Sequence, residues 1–212
     1  MNADNYIVWM IIPLLFIACF KLMFKLINKE SDRRAKALRS INEYKFPSTI
    51  KNNLEIKYCH LSSVELDLIM SGLKQFLYAC VISKKNTVGM PSKSVDFAWH
   101  EFILCTREYA NFCKKNIGWF IHHTPSGNSA DKTAQLRITK RIWASCCLIE
   151  NIDHRKPDRL PLLFLLDSDL NIDGGLVFTT DIHPGNRCGP EAECISELSD
   201  SVGSCSSCGG GD

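Results

Sequence analysis

The feature that most constrains this chain is an apolar run over residues 7–24, interrupted only by Pro13 and Lys21. Eighteen residues at about 1.5 Å each approach the ~30 Å thickness of a bilayer's hydrocarbon core. The run holds eleven Leu, Ile, Phe and Val residues, each favouring insertion by about 0.3–0.6 kcal/mol, against at most about 3 kcal/mol for one lysine. Lys21 also lies near the end of the run, where its side chain can reach the interface. The sequence therefore predicts a transmembrane anchor over residues 1–27.

The charged residues beside this run predict its orientation in the membrane. Seven lysines and arginines lie between Lys21 and Arg39, and none precedes the run in the sequence. Positive charge collects on the cytoplasmic side of membrane proteins, so the N-terminus is expected outside and the remainder in the cytoplasm. A cleaved signal peptide would place its positive charge before the apolar run. A buried core helix is the alternative interpretation of the run.

The cysteines give an independent indication of the compartment. The chain has eleven, an odd number, and Cys146 and Cys147 are adjacent within an apolar helical pattern. This does not resemble the disulfide framework of a secreted protein. Free cysteines are among the most buried residues, so the pattern favours a reducing compartment. Together with the charges, it predicts a single-pass membrane protein with a cytoplasmic domain.

Helical periodicity follows the anchor. Residues 28–45 form a charged, basic juxtamembrane segment compatible with a helix. Ser62 and Glu65 make a capping box before apolar residues at three- and four-residue spacing, which predicts a helix near 63–82. Further helices are predicted near 93–114, capped by Ser92 or Ser94, and near 130–150. The predicted fold is mainly α: an N-terminal transmembrane helix and a small helical-bundle domain over 46–183, with little or no β beyond a lone strand near 176–180.

The C-terminal segment, residues 184–212, has a different composition. It is rich in glycine, serine, cysteine and acidic residues, which cannot build a packed core, so it is predicted to be disordered. Its cysteines could gather a zinc ion, and Cys205 and Cys208 form its one CxxC spacing. A solvated tail is the favoured interpretation, because one CxxC among irregular spacings is a weak signal.

Five residues form the candidate functional site. Asp96 precedes His100 by four residues, so both lie on one helix face, next to Trp99. His122 and His123 follow about one helix later, and a chain that turns back after Gly118 would bring them near His100. Three imidazoles suffice for a zinc site with an open position, and Asp96 could orient one of them. Hydrogen bonding within the core, metal binding and metal-free catalysis all remain open as roles.

Two observations weigh against the metal role. Leu104 stands where a zincin motif would need its second histidine. Adjacent histidines in an extended segment also point to opposite sides, so both rarely reach one ion. A second metal motif fails as well: a calcium-loop spacing begins at Asp167, but Ile172 and Phe178 occupy the positions of its glycine and its bidentate acid.

The spacing of these motifs resembles bacterial relatives of the glycine-rich domain protein family. Those proteins have a Val-Asp-x-x-Trp-His helix, a following Tyr and Cys, and then a His-His-x-Pro segment. The resemblance spans about residues 46–181. It implies no catalytic residues. This sequence differs from the family in having Phe102 where many relatives have a second histidine, and in its short glycine run at 209–211. The matching residues are Val95, Asp96, Trp99, His100, Tyr109, Cys113, Gly118, His122, His123 and Pro125.

These features lead to three functional hypotheses. The first is a membrane-tethered cytoplasmic interaction or scaffold domain for an unspecified protein partner, which needs no active site. The alternative is a metal-dependent, zinc-binding enzyme, such as a hydrolase, that uses His100, His122 and His123. A third class is a thiol or metal sensor that uses Cys205 and Cys208. The net charge of +2 and the lack of a basic stripe with aromatic residues argue against a nucleic-acid partner.

Overall fold

The part of the chain that the structure describes is mainly helical, as predicted. The computed structural model describes residues 3–84, 89–123, 132–180 and 192–194, with side chains except those of 3–11, 14, 132–138 and 192–194. In these residues the elements are α1 (Ala3–Glu43), α2 (Ser48–Lys57), α3 (Ser63–Ser83), α4 (Lys93–Leu104), α5 (Thr106–Phe112), a π-helical turn (Cys113–Ile117), α6 (Lys132–Glu150), α7 (Leu162–Asp169), β1 (Val177–Thr179) and β2 (Ala192–Cys194).

Helix α3 lies at the centre of the bundle and packs against α1, α2, α4, α6 and α7. It begins at the predicted capping box, where Ser62 Oγ accepts from the Glu65 amide at 3.3 Å and Glu65 Oε2 accepts from the Ser62 amide at 2.7 Å. These bonds satisfy amides that the first helical turn leaves without partners. The apolar residues at helical spacing are buried as predicted, namely Leu66, Ile69, Leu73, Phe76 and Cys80.

Helix α3 is also the one helix, among the residues searched, that is long and apolar enough to cross a membrane. Half of its most apolar window lies buried inside the domain, and it contacts five other helices. Its buried apolar residues pack on these neighbours as in a core helix, whereas Val64 and Leu68 on its other side are exposed. The predicted anchor lies elsewhere, in α1, and part of it falls on residues 7–11 and 14, whose side chains are not described.

The second predicted helix is interrupted, so the prediction of one helix over 93–114 is wrong at Cys105. That residue leaves the helical conformation with φ −75° and ψ 61°, and it separates α4 from α5. The apolar pattern could not reveal the break, because Phe102 and Tyr109 stand seven residues apart, as they would in a continuous helix. Both are buried, with ring centroids 5.1 Å apart. The π-helical turn then ends at Gly118, which has φ 97° and is the residue after which the chain was expected to turn back.

A buried carboxylate joins α4 to α7. The side chain of Asp167, 2% exposed, accepts hydrogen bonds from the Lys93 and Ser94 amides at the first turn of α4 and from the Leu176 amide. It also accepts from the Ser92 and Ser94 hydroxyls, each at 2.8 Å. Ser92 Oγ in turn caps α4 by accepting from the Val95 amide. A carboxylate is favourable here because the helix N-terminus carries free amides and partial positive charge.

The backbone amides at the N-terminus of α7 donate hydrogen bonds to side chains of two other helices. Pro161 precedes it and offers no side-chain cap. The Leu162 amide instead donates to Glu150 Oε1 at 2.7 Å, and the Leu163 amide donates to Gln75 Oε1 at 2.8 Å. Gln75 Nε2 also donates to Glu150 Oε1 at 2.7 Å. These bonds tie α3, α6 and α7 together at one point.

Glu150 should make the domain sensitive to acid. Burial raises the pKa of its carboxyl, but hydrogen bonds from the Leu162 amide, Arg159 and Gln75 outweigh burial and hold the pKa below its ordinary value of 4.5. The stability that Glu150 contributes is therefore complete above its unfolded pKa and is lost as pH falls through the lower folded value. We expect Glu150→Gln to lose less unfolding free energy than the wild type between about pH 6 and about pH 3.

Chemical denaturation across that range measures the effect. Glu55→Gln is the matched control, because Glu55 is exposed on α2 and should leave the acid dependence unchanged. An identical pH dependence for Glu150→Gln and the wild type would show that the folded protein does not lower this pKa.

The strand prediction is correct in position and incomplete in pairing. β1 lies within the predicted 176–180, but it pairs in parallel with β2, with Val177 opposite Ala192 and Thr179 opposite Cys194. The prediction of a wholly disordered tail did not include this pairing. The amino-acid composition of a segment indicates whether the segment can form a packed core. It does not indicate whether the segment can pair with the exposed edge of a strand elsewhere in the protein. The other residues from 184 onward, including Cys205 and Cys208, lie outside the described part.

Helix α1 has two unlike halves. Its C-terminal half packs on the domain through the buried Ala37 and Ile41, and Lys74 Nζ donates to the Asn42 carbonyl at 2.6 Å. Arg33 Nη2 also donates to the Ile117 carbonyl at 3.2 Å. Residues 28–43, most of the predicted juxtamembrane segment, are thus helical, as expected. Between Ile12 and Ile27, in contrast, the large apolar side chains that the structure describes are exposed.

Candidate functional site

A carboxylate and two imidazoles converge between α4 and the segment that follows the π-helical turn. His123 Nε2 lies 3.2 Å from Asp96 Oδ1, and His100 Nδ1 lies 3.3 Å from Asp96 Oδ2. His100 Nδ1 also lies 2.8 Å from the Asp96 carbonyl oxygen. The centroids of the two imidazole rings are 4.1 Å apart. The chain therefore turns back after Gly118 and brings His123 to His100, as the short connection suggested.

A buried chain of hydrogen bonds fixes the segment that carries His123. Trp99 Nε1 donates to Tyr109 Oη at 3.1 Å, and Tyr109 Oη donates to the Ile121 carbonyl at 2.7 Å. Burial raises the pKa of Tyr109 well above its ordinary value, so its hydroxyl remains a donor. The Trp99 ring also packs against the His123 ring, with centroids 4.9 Å apart. Trp99, one of the five residues of the predicted site, thus supports His123 through the ring contact and through its bond to Tyr109.

The three converging side chains differ in exposure, and His122 is not among them. The His123 side chain is 17% exposed, that of Asp96 33%, and that of His100 47%. His122 is exposed and packs against Phe120, with ring centroids 4.9 Å apart. The structure thus brings together two of the three predicted histidines. Asp96, expected to support them, lies between them and offers one carboxylate oxygen to each.

The described cysteines do not form a second site. The seven cysteines whose side chains the structure describes have free thiols, and Cys80, Cys113, Cys146 and Cys147 are buried. Burial raises the pKa of each of these four thiols, that of Cys147 to about 12. A thiol needs its deprotonated form to act as a nucleophile or metal ligand, so these four act as small apolar residues.

Asp96, His100 and His123 are therefore the group whose chemistry needs explanation. Among the described residues, they are the one set of three His, Cys, Asp or Glu side chains whose ligating atoms all lie within 4.8 Å of one another. Without an ion, Asp96 can accept a hydrogen bond from each imidazole. With one, a carboxylate oxygen of Asp96 and one nitrogen of each imidazole make up a donor set that zinc and other first-row divalent metals accept.

Comparison with known proteins identifies the family. The sequence model named UCP032817-like matches residues 36–198, most of the chain. The chain belongs to the UCP032817-like family. The matched range begins in the packed half of α1 and includes α2 to β2, so the UCP032817-like region contains the bundle and all three converging residues. The exposed apolar residues 12–27 precede it. No curated protein and no solved structure gave a match.

Proposed function

We propose that this UCP032817-like chain is a single-pass membrane protein whose helical domain is tethered in the cytoplasm, where it binds a protein partner. The observation that carries the proposal is the surface of α1 over residues 12–27. Ten large apolar side chains there are each 49–73% exposed. They are Ile12, Leu15, Phe16, Ile17, Phe20, Leu22, Met23, Phe24, Leu26 and Ile27.

These side chains surround the helix. Leu15, Phe16 and Ile17 are consecutive, and consecutive residues of an α-helix point about 100° apart. A surface helix of a soluble domain has one apolar stripe that a neighbouring element covers. No single neighbour could cover this helix, whereas the hydrocarbon of a bilayer contacts every side. Exposed apolar patches beyond a few hundred Å² mark interaction or membrane surfaces.

The polar residues support the orientation with the domain in the cytoplasm. Lysines and arginines follow the apolar part of α1 from Lys29 to Arg39, and positive charge favours the cytoplasmic side. The free thiols of the described cysteines are compatible with a reducing compartment. Tethering raises the concentration of the domain near any partner at the same membrane.

A surface for such a partner lies between α2 and α4. A cleft of about 330 Å³ there is lined by Asn53, Ile56, Lys57, Phe97 and Glu101. Ile56 is 78% exposed, so the cleft combines an apolar side chain with polar groups at its rim, the arrangement common at interfaces between proteins.

Membrane fractionation of the full chain tests the anchor. The wild type should sediment with membranes and resist alkaline extraction. A variant with Phe16→Asp, Ile17→Asp and Phe20→Asp should move to the soluble fraction, because three buried carboxylates at the bilayer centre oppose insertion. The matched control places the same change on the domain, as Ile56→Asp, and should stay in the membrane. Extraction of the wild type at alkaline pH would contradict the anchor.

The native Cys59 tests the orientation, because it is exposed on the domain. A membrane-impermeant thiol reagent should label Cys59 only after lysis, whereas an engineered Asn2→Cys should be labelled on intact cells. Cys59→Ser identifies the labelled site. Labelling of Cys59 on intact cells would place the domain outside and overturn the cytoplasmic assignment.

A further inference from the structure

We propose that Asp96, His100 and His123 bind a zinc ion and leave one coordination position for water. This site does not depend on the membrane anchor, since its ligands all lie in the helical domain. It would add a chemical activity, hydrolysis by metal-bound water, to a domain otherwise proposed to bind a partner. The protein ligands would be one carboxylate oxygen and one nitrogen from each imidazole.

The distances bring the three residues close to this coordination. In a tetrahedral zinc site, ligands about 2.0–2.1 Å from the ion lie about 3.3 Å from one another. Each imidazole nitrogen already lies near that distance from one of the two carboxylate oxygens, with His123 Nε2 3.2 Å from Asp96 Oδ1 and His100 Nδ1 3.3 Å from Asp96 Oδ2. One carboxylate oxygen and one nitrogen of each ring lie within 4.8 Å of one another. Binding of an ion would draw these three atoms together, and His100 Nδ1 would give up its 2.8 Å contact with the Asp96 carbonyl oxygen.

The donor set is one that catalytic zinc uses. Sites with three protein ligands, commonly histidines with a carboxylate, keep a fourth position for water, whereas structural sites are closed by four ligands. His100 lies on the solvent side of the cluster and its side chain is 47% exposed. Water can thus reach an ion between the three residues. Zinc lowers the pKa of such water to about 7, so the water would lose a proton to solvent and the hydroxide could add to the carbonyl carbon or phosphorus of a substrate. The bond to the leaving group would then break, and that group would take up a proton from solvent.

The surroundings hold the ligands in advance of binding. Asp96 and His100 lie one turn apart on α4, a helix whose first turn is fixed by Ser92 and Asp167. His123 follows Ile121, whose carbonyl accepts from the Tyr109 hydroxyl. Both ligand-bearing segments are therefore anchored in the core. Such preorganisation strengthens metal binding because little order must be created when the ion enters.

A metal-free alternative makes a different prediction. In it, an N–H of each imidazole donates a hydrogen bond to Asp96, and the cluster only holds the segment after Gly118 against α4. An ion would take the place of those protons, which would move to the other nitrogen of each ring. The alternative expects His100→Ala to change stability with no zinc present in the wild type. Our proposal expects stoichiometric zinc that the same substitution removes.

Calorimetric titration with zinc chloride distinguishes the two. The full chain in detergent, first stripped with a chelator, should bind one equivalent at the cluster and gain thermal stability. His100→Ala, His123→Ala and Asp96→Asn should each weaken this binding by at least about 100-fold, since even partners of metal ligands are worth about 10–100-fold. His122→Ala is the matched control, because His122 neighbours His123 but lies outside the cluster, and it should bind as the wild type does.

A second control excludes the tail thiols. Zinc held by Cys205 and Cys208 would survive His100→Ala and disappear in the Cys205→Ser, Cys208→Ser double variant. Zinc at the proposed site would show the reverse. Circular dichroism of each variant checks that the fold is retained. A wild type that binds no zinc equivalent outside the tail, or histidine variants that bind as tightly as the wild type, would overturn the site.

Cobalt tests the open position. Co²⁺ in place of zinc absorbs visible light in a way that depends on its ligands. If water occupies one position, added azide should displace it and shift the cobalt spectrum of the wild type. An unchanged spectrum with cobalt bound at the cluster would show a closed site and overturn the hydrolytic part of the proposal.

Discussion

Asp167→Ala should destabilise the domain by about 3 kcal/mol or more, because it removes a buried carboxylate that accepts several hydrogen bonds, and hydrogen bonds to charged groups contribute about 1.5–3 kcal/mol each. The carboxylate is 2% exposed and accepts from the first turn of α4, from two serine hydroxyls and from the Leu176 amide. Alanine would leave these buried donors without a partner, and each unsatisfied group costs about 1–3 kcal/mol. Chemical denaturation of the wild type and the variant measures the difference.

Two further variants sharpen this test. Asp167→Asn keeps the shape but replaces one acceptor oxygen with a donor that faces backbone amides, so it should also destabilise, by less than alanine. Asp169→Ala is the matched control, because Asp169 is exposed at the end of the same helix and should change stability little. An Asp167→Ala protein as stable as Asp169→Ala would mean that water or neighbouring groups replace the carboxylate.

Leu73→Ala should cost about 2–5 kcal/mol, the range for removing a fully buried leucine side chain. Leu73 is completely buried in α3, the helix that contacts five others. The substitution removes apolar surface from the core and leaves a cavity that surrounding helices cannot fill without moving. Leu68→Ala is the same change on the same helix at a side chain that is 40% exposed. It should cost much less, and equal losses would contradict the central position of α3.

Local signals in the sequence predicted the helices well. The capping box at Ser62 and the serine cap at Ser92 set two helix starts, and Gly118 set one end, because each works through atoms a few residues away. The break at Cys105 was not predicted, because the local spacing of apolar residues does not show it. It preserves the seven-residue spacing of buried residues, so it changes the direction of the chain without changing the pattern.

Interactions across long separations could not be predicted. Asp167 and Ser92 meet across 75 residues, and so do Gln75 and Glu150. No sequence periodicity identifies a carboxylate that caps a distant helix. In the sequence, Asp167 was considered only as the first residue of a calcium-loop motif, and that motif lacks the required glycine and acid. The Ser62 cap lies within its own turn and was predictable, whereas these partners depend on how the helices pack.

The position of the candidate site could be predicted from the sequence, but which residues form it could be predicted only in part. Helical spacing put Asp96 and His100 on one face, and the turn after Gly118 suggested the return of the chain. Alternation in an extended segment indicated that His122 and His123 point to opposite sides. Which of them faces α4 depends on the bond from Tyr109 to the Ile121 carbonyl, a contact between buried groups that spacing does not encode.

The continuity of α1 has a mechanical consequence. Between Phe24 and Glu43 the helix contains no glycine or proline, and its second half is packed on the domain. Those residues make a stiff rod of about 30 Å with no joint at which the domain could swing. In a tethered chain, a change in bilayer thickness alters the tilt of a spanning helix. The domain would have to tip with it, so membrane geometry would set the direction in which the cleft and the histidines face.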